Sequence, residues 1–203
     1  QGNDLSNLAT IYDLLGDYER AISFYEGALK VDREVGNKEG IGADLGNLGG
    51  VYAELGNYQK AVLCHEEGLK IAGQIGNKRM MGGSLTNLGV VYFSLGQYQK
   101  AISYYEEALK ISREIGDKNG VGKTLANLGV VYYDLGDYQK AISYYEEALK
   151  ISRKIGDYMG VWVDLNNLGL VHKYLGDYQK AISYYEEALK IIREIGCMKE
   201  MAV

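Results

Sequence analysis

The chain has 203 residues, 47% hydrophobic and 24% charged, so it can bury a core and lacks the composition of a disordered segment. Its formal net charge of −5 disfavours binding to nucleic acid or anionic lipid, because both need a broad positive face. The chain contains no proline and no run of 18 apolar residues, so the sequence predicts consecutive helices and no membrane span.

Cysteine usage and the N-terminal sequence suggest a cellular compartment. Cys64 and Cys197 have neither disulfide nor zinc-site spacing, and no apolar secretion signal opens the sequence. We therefore expect a reducing, cytoplasmic location, and we expect no metal and no cofactor.

The sequence repeats every 40 residues without insertion or deletion. In the first half of each copy, two leucines, a small residue and an aromatic residue or histidine are spaced as on one face of a helix. The first of these leucines recurs as Leu5, Leu45, Leu85, Leu125 and Leu165. Each copy is therefore predicted to begin with an amphipathic helix.

A turn follows this helix in every copy, as in Leu135-Gly136-Asp137-Tyr138. Gly136 can take the left-handed conformation that ends a helix, and Asp137 can cap the next one. The second half again has helical spacing, and the joint Ile115-Gly116-Asp117-Lys118 repeats the glycine and cap chemistry. Each copy is predicted to be two antiparallel helices of roughly 16 to 18 residues.

The predicted fold is therefore all-α, and residues 1–203 are predicted to form a single array. Neither end carries an evident polar cap, so we expect the chain to be part of a longer array. The five units are residues 1–40, 41–80, 81–120, 121–160 and 161–200.

The series Leu45, Leu48, Gly49, Tyr52 and Ala61 resembles the signature of the tetratricopeptide repeat (TPR) family. The 40-residue period is longer than the usual period of about 34. It is similar to the repeats of the Leu-Gly-Asn family of spindle-orientation adaptors and, more loosely, to kinesin light chains. The resemblance implies a right-handed α-solenoid of five units, with the first helices on its concave wall, and a non-catalytic scaffold or adaptor that binds a protein or peptide.

Variation among the five copies concentrates at four positions of the first helix, which correspond to groove positions in the TPR family. The lysine and asparagine pair of the family's carboxylate clamp is absent from these positions, so we do not expect that mode of binding. Copies three to five instead carry apolar and aromatic residues with a polar rim, which suit an extended peptide or an amphipathic helix. The predicted groove consists of Thr86, Val90, Phe93, Lys123, Val130, Tyr133, Asp134, Asn166, Leu170, Lys173 and Tyr174. The alternative is that neighbouring units cover some of these side chains.

Catalytic chemistry has little support in the sequence. His65 and His172 occupy aromatic core positions, so we interpret both as packed imidazoles and predict no catalytic residue. The segment from Gly120 to Thr124 lacks the spacing of a phosphate-binding loop and is predicted to begin a helix.

Two other functions remain open. One is a structural array that associates head to tail through its ends, and the other is a regulatory segment of a larger enzyme. The first alternative depends on apolar residues at the ends, namely Val31, Val35, Ile191, Ile192 and Ile195.

Overall fold

The computed structural model describes the backbone of residues 2–201 and the side chains of residues 2–195. All regular secondary structure in this part of the chain is α-helical, as predicted. The helices are α1 (Gly2–Leu14), α2 (Tyr18–Val35), α3 (Lys38–Glu54), α4 (Tyr58–Ile75), α5 (Lys78–Ser94), α6 (Tyr98–Glu114), α7 (Lys118–Asp134), α8 (Tyr138–Ile155), α9 (Tyr158–Tyr174) and α10 (Tyr178–Met201).

The helices pack as consecutive antiparallel pairs, in the manner of an all-α solenoid. The chain divides into two compact units, Gln1–Ile115 with α1 to α6 and Gly116–Val203 with α7 to α10. The single array of residues 1–203 remains a prediction.

Glycine separates the helices at intervals of 20 residues. Gly136 has φ of 76°, a conformation that is open to glycine but costly for other residues, and this lets the chain reverse between α7 and α8. The same conformation, with φ between 66° and 77°, occurs at Gly16, Gly36, Gly56, Gly76, Gly96, Gly116, Gly136, Gly156 and Gly176. The prediction that glycines separate the helices is confirmed.

The residue after each of these glycines caps the next helix in most cases. The side chain of Asp137 accepts a hydrogen bond from the backbone N–H of Lys140 at 3.2 Å, and Asn77 accepts one from Met80 at 3.0 Å. Gln97 stands at the same place before α6 and makes no such bond. One N–H at the start of α6 therefore lacks the partner that the other helices have.

Replacing Gln97 by aspartate is expected to stabilise the chain by about 1 kcal/mol, because the shorter side chain can accept the missing hydrogen bond. Chemical denaturation gives the free energy of unfolding. The reverse exchange, Asp137→Gln, is the matched control and should cost a similar amount. Equal stability of both variants and the wild type would contradict this assignment.

The Leu-Gly pair that recurs in the first helix of copies two to five contributes to the core, whereas Leu8 in the first copy is 42% exposed. In the second unit Leu125, Leu128, Leu165 and Leu168 have no exposed surface. The glycine of the pair lets the aromatic ring of the second helix approach the backbone. A Cβ atom placed on Gly129 would lie 2.5 Å from Cε1 of Tyr145, closer than real contacts allow.

The end of the chain differs from the predicted pattern. The glycine and cap chemistry of the earlier joints predicts a break near Gly196, but the backbone of α10 is helical through Met201. Earlier joints have Asn or Asp after the glycine, as at Asn37 and Asp157, whereas Cys197 stands there at the end. Cysteine is a poor cap, so the sequence offers no signal to start a new helix. The side chain of Cys197 lies outside the described residues.

Candidate functional site

Three of the predicted groove residues lie on α5, in the first unit. Val90 is exposed, while Thr86 and Phe93 are half-buried. The hydroxyl of Thr86 donates to the carbonyl oxygen of Gly82 at 2.9 Å, so it can only accept a hydrogen bond from a ligand. The ring of Phe93 packs against Tyr98 at a centroid distance of 5.7 Å.

The second unit contributes predicted residues from α7. Lys123 and Asp134 are exposed at opposite ends of the helix, and Val130 and Tyr133 are half-buried between them. Val130 and Tyr133 pack against the core of the unit. Each of these side chains therefore packs on the core with one side, and part of its surface faces solvent.

The remaining predicted residues lie on α9. Leu170 and Asn166 are half-buried, Lys173 is exposed, and Tyr174 has 62% of its surface exposed. The side-chain amide of Asn166 donates to the carbonyl oxygen of Trp162 at 2.7 Å. Its carbonyl oxygen is directed away from that bond and can accept from a ligand.

Tyr133, Tyr138 and Tyr174 form a tyrosine cluster in the second unit. The rings of Tyr133 and Tyr174 meet edge to face at 5.5 Å, and Tyr138 lies 5.7 Å from Tyr133 and 6.3 Å from Tyr174. Burial and a hydrogen bond with Tyr174 raise the pKa of Tyr133. The hydroxyl of Tyr133 is therefore neutral at physiological pH.

The structure thus brings Tyr133 and Tyr174 together and adds a residue that the sequence analysis did not select. Every copy has a tyrosine at the position of Tyr138, so this residue was assigned to the scaffold. Its place five residues after Tyr133, across a tight turn, was the available signal. The pair of Phe93 and Tyr98 has the same spacing in the first unit.

Both histidines are buried and packed, as predicted. Burial lowers the pKa of His65 to about 4, so its imidazole is neutral at physiological pH. His172 stacks on Tyr184 at 5.5 Å. Among the described residues, His, Cys, Asp and Glu side chains form no group that could hold a metal ion.

Three buried aspartates were not singled out from the sequence. Asp32 and Asp44 lie in the first unit, and Asp164 lies in the second, each with at most 3% of its surface exposed. Ser152 donates a hydrogen bond to Asp164 at 3.1 Å, yet burial raises the pKa of this carboxyl to about 7. These acids are buried within the helix packing.

The segment from Gly120 to Thr124 lies within α7, so its predicted helical structure is confirmed. The hydroxyl of Thr124 donates to the carbonyl oxygen of Gly120 at 2.8 Å within that helix. In the described part of the chain, no helix is both long enough and apolar enough to cross a membrane.

Similar solved structures share the fold over nearly the whole chain. BtubC (BKLC) from P. vanneervenii has a TM-score of 0.84 and 27% identity, and the match covers 96% of this chain and 80% of that one. A Podosopora anserina protein described as a kinesin light chain with nearly identical TPR-like repeats has a TM-score of 0.76 and 19% identity, with 96% and 95% covered.

A third similar structure is a Rap protein complexed with Competence and Sporulation Factor. Its TM-score is 0.81 at 19% identity, and the match covers 94% of this chain and 53% of that one. Resemblance to the Leu-Gly-Asn adaptors remains a prediction.

Sequence comparison defines the family. A search of curated protein sequences gives no match. Models of the tetratricopeptide repeat match residues 4–74, 81–154 and 164–194, which together span most of the chain and follow the helix pairs described above. The chain therefore belongs to the tetratricopeptide repeat family.

Proposed function

We propose that the chain is a non-catalytic scaffold that binds a protein partner through an extended peptide or an amphipathic helix. The observation that carries this proposal is the tyrosine cluster of the second unit, whose outermost ring, Tyr174, is 62% exposed. Aromatic side chains with an apolar body and a polar tip are common anchors at protein interfaces.

The surroundings of the cluster favour a peptide ligand. Val130 and Leu170 supply half-buried apolar surface, and Asp134 and Lys173 supply exposed charges of opposite sign. One N–H of the Asn166 side-chain amide bonds to Trp162, and the amide oxygen can accept from a peptide N–H. An apolar strip with polar groups beside it suits a segment that alternates apolar and polar side chains.

The predicted groove residues Thr86, Val90 and Phe93 belong to the first unit, and Lys123 belongs to the second. The similar Rap structure is a complex with Competence and Sporulation Factor, so a related fold has been found with a bound factor. We propose a cytoplasmic location as well, in keeping with the free thiol of Cys64.

The double variant Leu170→Thr with Tyr174→Ser tests the groove. Thr10 and Ser94 occupy the same positions in other copies, so both residues are compatible with the helix. Peptides selected from a random linear display library on the wild-type chain should bind the double variant at least about fivefold more weakly, because loss of an aromatic anchor costs about 1 kcal/mol or more. Calorimetric titration of synthetic peptides measures this change.

Leu189→Glu is the matched control, because Leu189 lies on α10 and not on the first helices. We expect its peptide affinity to equal that of the wild type. Peptides that bind the double variant as tightly as the wild type would remove the support for the groove.

The second candidate function, head-to-tail association, has its own observation. Ile11 on α1 is 53% exposed whereas Val131 at the same position is 1% exposed, and Leu189 is 54% exposed whereas Leu149 is 6% exposed. Of the predicted end residues, Val35 and Ile192 are exposed, and Val31, Ile191 and Ile195 are half-buried. This mode predicts that Leu189→Glu lowers a concentration-dependent mass in light scattering, whereas the groove variant leaves it unchanged.

A further inference from the structure

One position of the second helix holds an aromatic residue in four of the five copies and Cys64 in the second copy. The aromatic side chain stacks on a ring from the first helix of its own copy. The stacked pairs are Tyr12 with Phe24 at 5.4 Å, Tyr92 with Tyr104 at 5.3 Å, Tyr132 with Tyr144 at 5.3 Å and His172 with Tyr184 at 5.5 Å. In the second copy Tyr52 has no such partner on its own second helix, because Cys64 stands there.

A cavity of about 250 Å³, open to solvent, lies where this ring is missing. Its apolar wall comes from α2, α3 and α4, and Tyr52 and Cys64 both line it. The apolar and thiol lining consists of Leu29, Leu45, Leu48, Tyr52, Leu63 and Cys64. An apolar protein cavity of about 150 Å³ is large enough to bind benzene, so this volume suffices for a single substituted ring.

A lysine lies over the ring of Tyr52, as in other copies. The ammonium group of Lys60 lies 4.8 Å from the centroid of the Tyr52 ring, as that of Lys100 lies 4.9 Å from the Tyr92 ring. The hydroxyl of Tyr52 donates to Glu26 at 3.4 Å. The second copy therefore keeps the receiving ring and its lysine, lacks the stacked aromatic partner, and has Leu63 where the other copies have serine.

The charged rim of the cavity matches the environment of a tyrosine hydroxyl in the fifth copy. Four charged groups act on the hydroxyl of Tyr184, namely Glu146, Lys180, Glu187 and Arg153. The residues at the corresponding positions around Cys64 are Glu26, Lys60, Glu67 and Arg33, and all four line the cavity. Arg33 and Glu67 form an ion pair at 2.8 Å across this rim, as Arg153 and Glu187 do at 2.5 Å.

We propose that the cavity between α2, α3 and α4 is a binding site for a phenol ring, which stacks on Tyr52 and places its hydroxyl among the charged groups of the rim. Burial raises the pKa of the Cys64 thiol to about 11, so this wall of the site is neutral at physiological pH. A neutral phenol offers one donor and one acceptor to a rim that holds two carboxylates and two cations.

This site goes beyond the proposed groove, because its walls come from the first unit and include two second helices. The phenol ring has two sources that share this chemistry, a tyrosine side chain of a partner and a free small phenol. Two probes distinguish them. The compound p-cresol carries the ring alone, and the capped tripeptide Gly-Tyr-Gly carries it on a peptide backbone.

Both probes are titrated into the full chain while the methyl signals of Leu45 and Leu48 are followed by NMR. We expect saturable shifts with p-cresol and a Kd on the order of 1 mM, as is usual for a ligand of this size. Comparable or tighter binding of the tripeptide assigns the site to a tyrosine side chain, and binding of p-cresol alone assigns it to a free phenol. Absence of saturable binding by either probe overturns the proposal.

Three variants locate the binding. Cys64→Tyr supplies the missing ring from the chain itself and should abolish binding of p-cresol while raising the thermal stability. Cys64→Ala keeps the cavity open and should retain binding, which excludes a reaction of the thiol as the cause. Tyr104→Cys opens the equivalent cavity in the third copy and should add a second binding event. Binding that persists in the Cys64→Tyr variant would place the ligand elsewhere and overturn the proposal.

Discussion

Replacing Asp164 by asparagine is expected to stabilise the chain at pH 8 by about 2 to 3 kcal/mol. Asp164 is 2% exposed, and burial raises the pKa of its carboxyl from 3.8 to about 7. At pH 8 the folded chain must keep a buried negative charge that the unfolded chain exposes to water. A shift of about three pKa units sets a ceiling of about 4 kcal/mol, and the hydrogen bond from Ser152 offsets part of any gain.

The direction of the pH dependence follows from the same pKa. Because the folded chain holds a proton on Asp164 up to about pH 7 and the unfolded chain releases it near pH 4, this group makes folding less favourable as the pH rises from 4 to 7. Chemical denaturation at pH 5 and pH 8 measures the effect. The variant should gain most at pH 8 and roughly two fifths as much at pH 5.

Two substitutions test whether the buried charge is responsible. Asp164→Ser introduces the residue that the third copy has at this position, Ser84, and should also flatten the pH dependence. Asp134→Asn changes an exposed acid and should alter stability by only a few tenths of a kcal/mol. A wild-type chain as stable at pH 8 as at pH 5, with Asp164→Asn unchanged, would contradict the expected penalty.

Replacing Gly129 by valine is expected to destabilise the chain by about 3 kcal/mol, because the added atoms overlap the ring of Tyr145. A Cβ atom at this position would lie 2.5 Å from Cε1 and 2.7 Å from Cδ1 of that ring. Alanine is a milder test, since Ala9 occupies the same column in the first copy. Thermal and chemical denaturation measure the loss.

Gly50→Ala is the matched control for this substitution. Gly50 is also a helical glycine, but nothing lies within 4 Å of a Cβ atom added to it. It should therefore stabilise the chain by about 0.5 to 1 kcal/mol through helix propensity.

A double-mutant cycle isolates the contact with the ring. In a Tyr145→Ala background the ring is absent, so the cost of Gly129→Val should fall to about 1 kcal/mol or less. An undiminished cost in that background would assign the destabilisation to the backbone of α7 rather than to the ring.

The periodicity of the sequence was enough to predict helix type, pairing and core columns. Leu125, Leu128 and Gly136 have identical residues at the same positions in every copy. In each copy the leucines mark one face of the first helix, and the glycine lets the chain reverse after it. For the predicted groove residues, the spacing predicted their positions on α5, α7 and α9 but not their side-chain contacts.

The sequence by itself determined the repeated unit, because helix faces, glycine turns and caps depend on residues close together in the chain. Tertiary structure decided the contacts that particular side chains make. It assembled Tyr133, Tyr138 and Tyr174 from two helices of one copy and one of the next, buried Asp164 beneath Ser152, and opened a cavity where Cys64 replaces an aromatic ring. These outcomes depend in part on packing between neighbouring copies, which the spacing within one copy does not encode.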